Sequence, residues 1–182
     1  MSDRICIAYI DGANLHKGIE TLGWRLVYGR FRSWMRQKYG ISSAKLFIGY
    51  MKKHADIYVM RKAQGYECIF KEVVYSRDGR AKGNCDSDLV LSAVRDYFEL
   101  GMTVAILISS DGDYASLIKF WQEKKVTCFV LSPSPIKQCS WLLRKTNVTI
   151  FSLEEVQHKL MKKPKKEKAP GTDVSVQEPL SW

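Results

Sequence analysis

Six short apolar runs, separated by stretches that read as helices, constrain the fold of this chain more than any other feature. They are ICIAYI (5–10), KLFIGY (45–50), CIFKEVVY (68–75), TVAILIS (103–109), VTCFVL (126–131) and VTIF (148–151), the last expected at one edge of a sheet. All are rich in β-branched and aromatic residues, and several are nearly continuous in apolar character, the pattern of strands covered on both faces. Helices are expected over 13–22, 30–39, 53–64, 87–100, 113–124 and 136–145, with 153–162 after the last strand. In DSDLVLSAVRDYFE, residues Leu89, Val90, Ala93, Val94 and Tyr97 fall on one stripe behind an acidic start, which predicts an amphipathic helix. Alternation of this kind implies the α/β class, with a mostly parallel sheet between two helix layers and right-handed crossovers. No internal repeat is present.

In such a sheet, ligands collect at the carboxyl ends of the strands. YIDGAN puts Asp11 directly after the first strand, and SSDGDY puts Asp111 and Asp113 directly after the fourth. Asp86 and Asp88, in KGNCDSDLVL, lie where a loop enters the helix of 87–100, and reach the same edge if strands one and four are neighbours. Two like charges a residue apart at the end of a buried strand repel each other and resist desolvation, so they destabilise the fold unless a cation sits between them. Hard carboxylate oxygens select Mg²⁺ or Mn²⁺. Singly, each acid has a plainer role, as an N-cap worth about 1 kcal/mol or as a first-turn residue favoured by the helix dipole. The convergence of three clusters on one edge argues for a shared site.

Charge points to the partner. The chain carries 29 Lys and Arg against 19 Asp and Glu, a formal +10, and removing the five lysines and three acids of residues 161–182 still leaves 24 against 16. The basicity therefore belongs to the folded part, and its field draws polyanions such as nucleic acid; the plainer alternative is a merely soluble basic surface. The five cysteines are odd in number and scattered, without a C-x-x-C pair, which argues against a disulfide framework and a zinc site. No apolar run approaches the roughly 20 residues of a membrane span, and the start MSDRICIAYIDG has no signal-peptide pattern. A cytoplasmic protein without membrane partners is expected. Residues 1–161 read as one domain and 162–182 as a disordered basic tail, which either holds RNA loosely or is a solubilising end.

The blocks YIDGANL, KGNCDSDLVL and ILISSDGDYASLI resemble the three signature blocks of the NYN domain, in the LabA-like branch of the PIN-like nuclease superfamily. GWRLVYGRFRSWM, FIGYM, GYECIFKEVVY and CFVLSPSPIKQCSWLLRK are similar to a bacterial subgroup, and the resemblance runs from about residue 4 to 160. It implies a three-layer α/β/α Rossmann-like sandwich and a ribonuclease dependent on one or two Mg²⁺ or Mn²⁺ ions. It further implies that Asp11, Asp86, Asp111 and Asp113 are catalytic, that these four and Asp88 are metal ligands, and that Asn14 is the polar partner following the first acid. Three positions depart from the family pattern. Ser110 stands where Gly is usual, which restricts φ; Tyr114 replaces Phe and adds a hydroxyl; Cys85, where a small aliphatic residue is common, reads as packing.

Lys82, Lys17, Arg25, Arg30 and Arg32 lie in sequence near these blocks. They either contact phosphates, which positions RNA without reading its bases, or form solvated faces. Lys82, Lys17 and Arg30, with Asn14 and Ser110, are the expected substrate-binding residues. Trp24, Tyr28 and Phe31 either stack on unpaired bases or belong to the core. The expected partner is single-stranded RNA, with a homodimer allowed but required by no residue. A phosphatase of the haloacid dehalogenase type needs a second Asp two residues after the first, where Ala13 stands. The alternatives to a nuclease are a module that binds RNA or a nucleotide without cutting it and, more remotely, a protein-interaction scaffold.

Overall fold

A computed structural model describes residues 4–72, 74, 75, 81, 82 and 85–162, with the backbone alone for 72, 74, 75, 81 and 82. The chain runs β1 (Cys6–Asp11), α1 (Gly12–Thr21), α2 (Tyr28–Tyr39), β2 (Ser43–Tyr50), α3 (Ala55–Ala63) and β3 (Glu67–Glu72). Then come β4 (Val74–Tyr75), β5 (Ala81–Lys82), α4 (Asp86–Leu100), β6 (Val104–Ile108), α5 (Ala115–Glu123), β7 (Thr127–Ser132), α6 (Trp141–Lys145), β8 (Thr149–Ser152) and α7 (Gln157–Leu160).

Six strands form one sheet in the order β3-β2-β1-β6-β7-β8, and every pairing in it is parallel. Alternate residues of β1 serve two cores. Cys6, Ala8 and Ile10 pack with Leu15 and Ile19 of α1, Phe31 and Met35 of α2 and Tyr58 of α3. Ile7 and Tyr9 pack on the opposite face with Leu89 and Ala93 of α4, Leu117, Ile118 and Trp121 of α5 and Leu143 of α6. The architecture is the expected three-layer α/β/α sandwich. Ile10, Leu107 and Ile108 are completely buried, and truncating such a side chain to Ala costs about 2–5 kcal/mol.

The strand order places the functional edge. From β1 the chain winds outward through β2 to β3, then returns to the other side of β1 with β6 and winds outward again to β8. The crevice at the carboxyl ends of β1 and β6 is thus the topological switch point, where open α/β sheets bind their ligands. Ile10 of β1 pairs with Ile108 of β6, so Asp11 and the 109–113 loop leave the sheet side by side.

Three elements differ most from expectation, beside the 3₁₀ turns at Lys52–His54 and Gly112–Tyr114 that open the helices expected over 53–64 and 113–124. The strand expected over 68–75 ends at Glu72, and Val74–Tyr75 pairs antiparallel with Ala81–Lys82 in a separate ribbon. The helix expected over 136–145 is a 3₁₀ turn at Ile136–Gln138 followed by α6, because Cys139 is extended at φ −62°, ψ 139° and the Ser140 amide bonds to the Ser110 carbonyl at 3.0 Å. The segment expected as one helix over 153–162 is a 3₁₀ turn at Leu153–Val156 and then α7, which ends at Leu160. The expected tail lies, from residue 163 on, outside the described residues. Among the described residues no helix is long and apolar enough to cross a membrane.

Candidate metal centre

Asp11 ends β1 and caps α1, its Oδ1 accepting the Asn14 amide hydrogen at 3.0 Å. The cap fixes one carboxylate oxygen against the helix start and leaves Oδ2 directed elsewhere. Gly12 makes this possible, because a Cβ there would meet Ile48 Cγ2 at 2.2 Å and the Phe47 carbonyl oxygen at 2.9 Å. Asn14 reaches across the switch point, its Oδ1 accepting from the Ser110 amide at 2.9 Å and the Ser110 hydroxyl at 3.1 Å. One amide side chain thereby ties the loop after β6 to the first turn of α1.

That loop is pinned by further contacts. The Asp111 amide donates to Ser109 Oγ at 3.1 Å, and Asp111 Oδ1 accepts from the Asp113 amide at 3.1 Å, capping a 3₁₀ turn over Gly112–Tyr114. Gly112 is buried against the next crossover, where a Cβ would lie 2.3 Å from Ser140 Oγ. The restriction of φ that Ser110 brings where Gly is usual is met without strain: Lys125 and Asn147 are the only non-glycine residues with positive φ among those described. The freedom of glycine is not needed at 110, and the hydroxyl gains a bond to Asn14.

The third acid arrives on α4, which is held to the sheet by a buried polar network. Tyr9 donates its hydroxyl hydrogen to Asp96 Oδ2 at 2.7 Å, and Lys45 Nζ donates to Asp96 Oδ1 at 2.8 Å and to Ser92 Oγ at 3.3 Å. Breaking such a buried pair by removing one partner costs about 3–5 kcal/mol. This network sets the position of the helix whose first residue is Asp86.

The result is a group of three carboxylates, Asp86, Asp111 and Asp113, whose ligand oxygens all lie within 4.8 Å of one another. Tyr114 joins Asp11 to them. Its hydroxyl, on a buried ring, lies 2.5 Å from Asp86 Oδ1 and 3.2 Å from Asp11 Oδ2. A phenol has a single proton, so it donates to one of the two carboxylates at a time. Burial, with repulsion from Asp86 and Asp111, pushes the Asp11 carboxyl above its ordinary range despite the Asn14 and Tyr114 bonds. Burial and the neighbouring Asp11 and Asp86 push the Tyr114 hydroxyl up, so it remains a donor. The Cys85 thiol is pushed up to about 11, first by burial and then by Asp11, which fits packing and not redox chemistry.

Asp88 faces a different partner, its Oδ2 lying 2.9 Å from Lys71 Nζ on β3. Arg30 donates to the Met161 carbonyl at 2.6 Å and Arg32 to the Gly65 carbonyl at 3.0 Å, so both brace the fold. Lys17 and Arg25 are exposed, and the side chain of Lys82 lies outside the described residues. Of the two roles open to Trp24, Tyr28 and Phe31, the core is the one observed: they are 6 %, 7 % and 0 % exposed. Reading the sequence did not single out Lys71, Lys45 or Asp96. For Lys71 and Lys45 the available signal was a lysine inside or at the start of an apolar run.

Three carboxylates this close together fit a hard divalent ion, through all-oxygen donors and the repulsion it would offset. A family model for the NYN domain matches residues 6–154. The fold is similar to the crystal structure of a protein of unknown function from Vibrio parahaemolyticus, with a TM-score of 0.71 at 22% sequence identity over 88% of this chain and 99% of that one. At that identity the likeness shows the fold alone. Among curated proteins nothing matches the chain.

Proposed function

The chain belongs to the NYN domain family, within the PIN-like nuclease superfamily, and from that premise we propose that it is a divalent-metal-dependent ribonuclease acting on single-stranded RNA. The observation that carries the reading is the convergence of Asp86, Asp111 and Asp113 within 4.8 Å at the switch point between β1 and β6.

In this reading Asp86, Asp111 and Asp113 hold Mg²⁺ or Mn²⁺. Bound there, the ion supplies the positive charge that acidifies a water and offsets charge on a phosphodiester. Asp11 stands beside the three, and its Oδ2, where Tyr114 now bonds, is the oxygen that takes a proton from the attacking water. The water oxygen forms the new bond to phosphorus, the bond to the 3′ oxygen breaks, and that oxygen takes up a proton from solvent. Asn14 and Ser110 keep the two halves of the site in register. Lys71, paired with Asp88 at the edge of the cluster, and exposed Lys17 supply cations for the RNA backbone. The excess of basic residues draws the strand in.

One observation favours a second reading, a module that binds RNA without cutting it. Tyr114 gives Asp86 or Asp11 a hydroxyl donor that requires no metal, so an acid retained for structure has a partner without an ion. Incubating the purified chain with labelled single-stranded RNA and Mg²⁺ or Mn²⁺, with EDTA as control, separates the two. Metal-dependent cleavage supports the nuclease, and binding without cleavage supports the module.

A further inference from the structure

The crossover CFVLSPSPIKQCSWLLRK carries a surface feature that the acidic site does not use. Trp141 is 60% exposed, and Ile136 at 41% and Leu142 at 49% are exposed in the same crossover. An exposed indole costs free energy in water, and clusters of large apolar side chains on a surface mark contact sites. Two further observations bear on its partner.

The first is position. The Ser140 amide donates to the Ser110 carbonyl at 3.0 Å, and Gly112 approaches Ser140 and Leu142 so closely that a Cβ at Gly112 would lie 3.1 Å from Leu142 Cβ. The start of α6 is therefore packed on the loop that carries Asp111 and Asp113. The second is charge. Between Glu123 and Glu154 the chain has no acidic residue, while Lys124, Lys125, Lys137, Arg144 and Lys145 are basic. Lys137, Arg144 and Lys145 are exposed in the same crossover, and Lys145 Nζ stands 4.8 Å from the centroid of the Trp141 ring.

We propose that Trp141 is a base-stacking platform for an unpaired nucleotide of single-stranded RNA, with Lys137, Arg144 and Lys145 taking the flanking phosphates. An aromatic face with cations around it accepts any base, because every base has a π-face. Lys145 stands over the indole and the residue is 60% exposed, so a base and its phosphate find an aromatic surface and a cation together. A strand anchored at Trp141 is held on the helix that packs against the 110–113 loop, on the side of the fold that carries Asp111 and Asp113. The inference rests on single-stranded RNA being the substrate of the acidic site.

The test is fluorescence anisotropy with a short labelled single-stranded oligoribonucleotide in EDTA, so that binding is read without cleavage. Trp141→Ala should weaken binding on the order of tenfold or more, the loss of one base stack, and Trp141→Phe should keep most of the affinity. An oligonucleotide whose bases are removed should bind wild type and Trp141→Ala alike, through its phosphates. Because the indole is exposed, circular dichroism melting should be the same for all three proteins. Wild-type affinity in Trp141→Ala overturns the proposal. So does a Trp141→Ala protein that changes from dimer to monomer in sedimentation with its RNA affinity intact, since the patch would then bind a second copy. A wild type that binds RNA through Trp141 but never cuts it supports the stacking site and removes the ribonuclease reading. A wild type that cuts RNA with a KM unchanged by Trp141→Ala does the reverse.

Discussion

The Tyr114 hydroxyl lies 2.5 Å from Asp86 Oδ1, so the residue after Asp113 serves the carboxylate at the start of α4. A hydrogen bond to a charged group contributes about 1.5–3 kcal/mol. In EDTA, Tyr114→Phe should therefore melt below wild type. A divalent ion held as proposed would satisfy the same carboxylates, so the rise in melting temperature on adding Mn²⁺ should be larger in Tyr114→Phe than in wild type. Equal shifts would show that hydroxyl and ion do not compete for Asp86.

Asp11 gives the metal-free protein a pH dependence of definite sign. Burial first, then repulsion from Asp86 and Asp111, raises its carboxyl above the ordinary 3.8. The folded state thus holds that proton more tightly than the unfolded chain does. The resulting stabilisation is fully present below pH 3.8 and is lost as pH rises through the raised folded-state value. Asp11→Asn removes the titration. Urea unfolding in EDTA across this window should show wild type losing stability relative to Asp11→Asn as pH rises; a constant difference would refute the raised carboxyl.

Gly112 tests the packing of the acidic loop on α6. A Cβ there meets Ser140 Oγ at 2.3 Å and Ser140 Cβ at 3.1 Å, while that hydroxyl caps α6 through the Leu142 amide. Gly112→Ala should destabilise the fold by about 1–3 kcal/mol and weaken Mn²⁺ binding measured by calorimetry. Adding Ser140→Gly should recover part of both losses, because it removes the obstructing atoms. A double variant no better than Gly112→Ala would show that the clash lies elsewhere.

Much of the fold and the site is legible in the sequence, for identifiable reasons. Each of the six runs supplies a strand of the main sheet, most plainly β1 and the wholly buried VAILI of β6, because strands buried on both faces are continuous in apolar character. Asp11, Asp86, Asp111 and Asp113 fall on one edge from their position after strands or at a helix start, and the pairing of β1 with β6 supplies the neighbourhood that placement requires. What is not legible depends on contacts between distant segments. The break at Cys139–Ser140 follows from a bond to Ser110, far back in the chain, which no local propensity reveals. Trp24 and Trp141 show the same limit: side-chain type does not tell which one a helix layer will cover, and the first is buried while the second is exposed. Asp88 reads as a twin of Asp86 in sequence, but Lys71 of β3 claims it.

Metal should stabilise the fold through the three carboxylates. An ion that binds the native state alone contributes about 2.7 kcal/mol at a hundred times Kd. Millimolar Mg²⁺ or Mn²⁺ should therefore raise the melting temperature of wild type. The Asp111→Asn, Asp113→Asn protein, freed of like-charge repulsion, should melt above wild type in EDTA and gain little from metal. Equal gains in both would mean that these acids do not share an ion.

The most direct test is cleavage of labelled single-stranded RNA by purified wild type and by Asp86→Asn and Asp111→Asn, with binding measured in parallel in EDTA. Wild type should cut in Mg²⁺ or Mn²⁺ and stop on chelation. The two variants should fall to background while binding RNA as tightly as wild type or more so, since neutralising an acid removes repulsion of phosphate. Wild-type RNA left intact under both ions, or variants that cut as fast as wild type, would contradict the account.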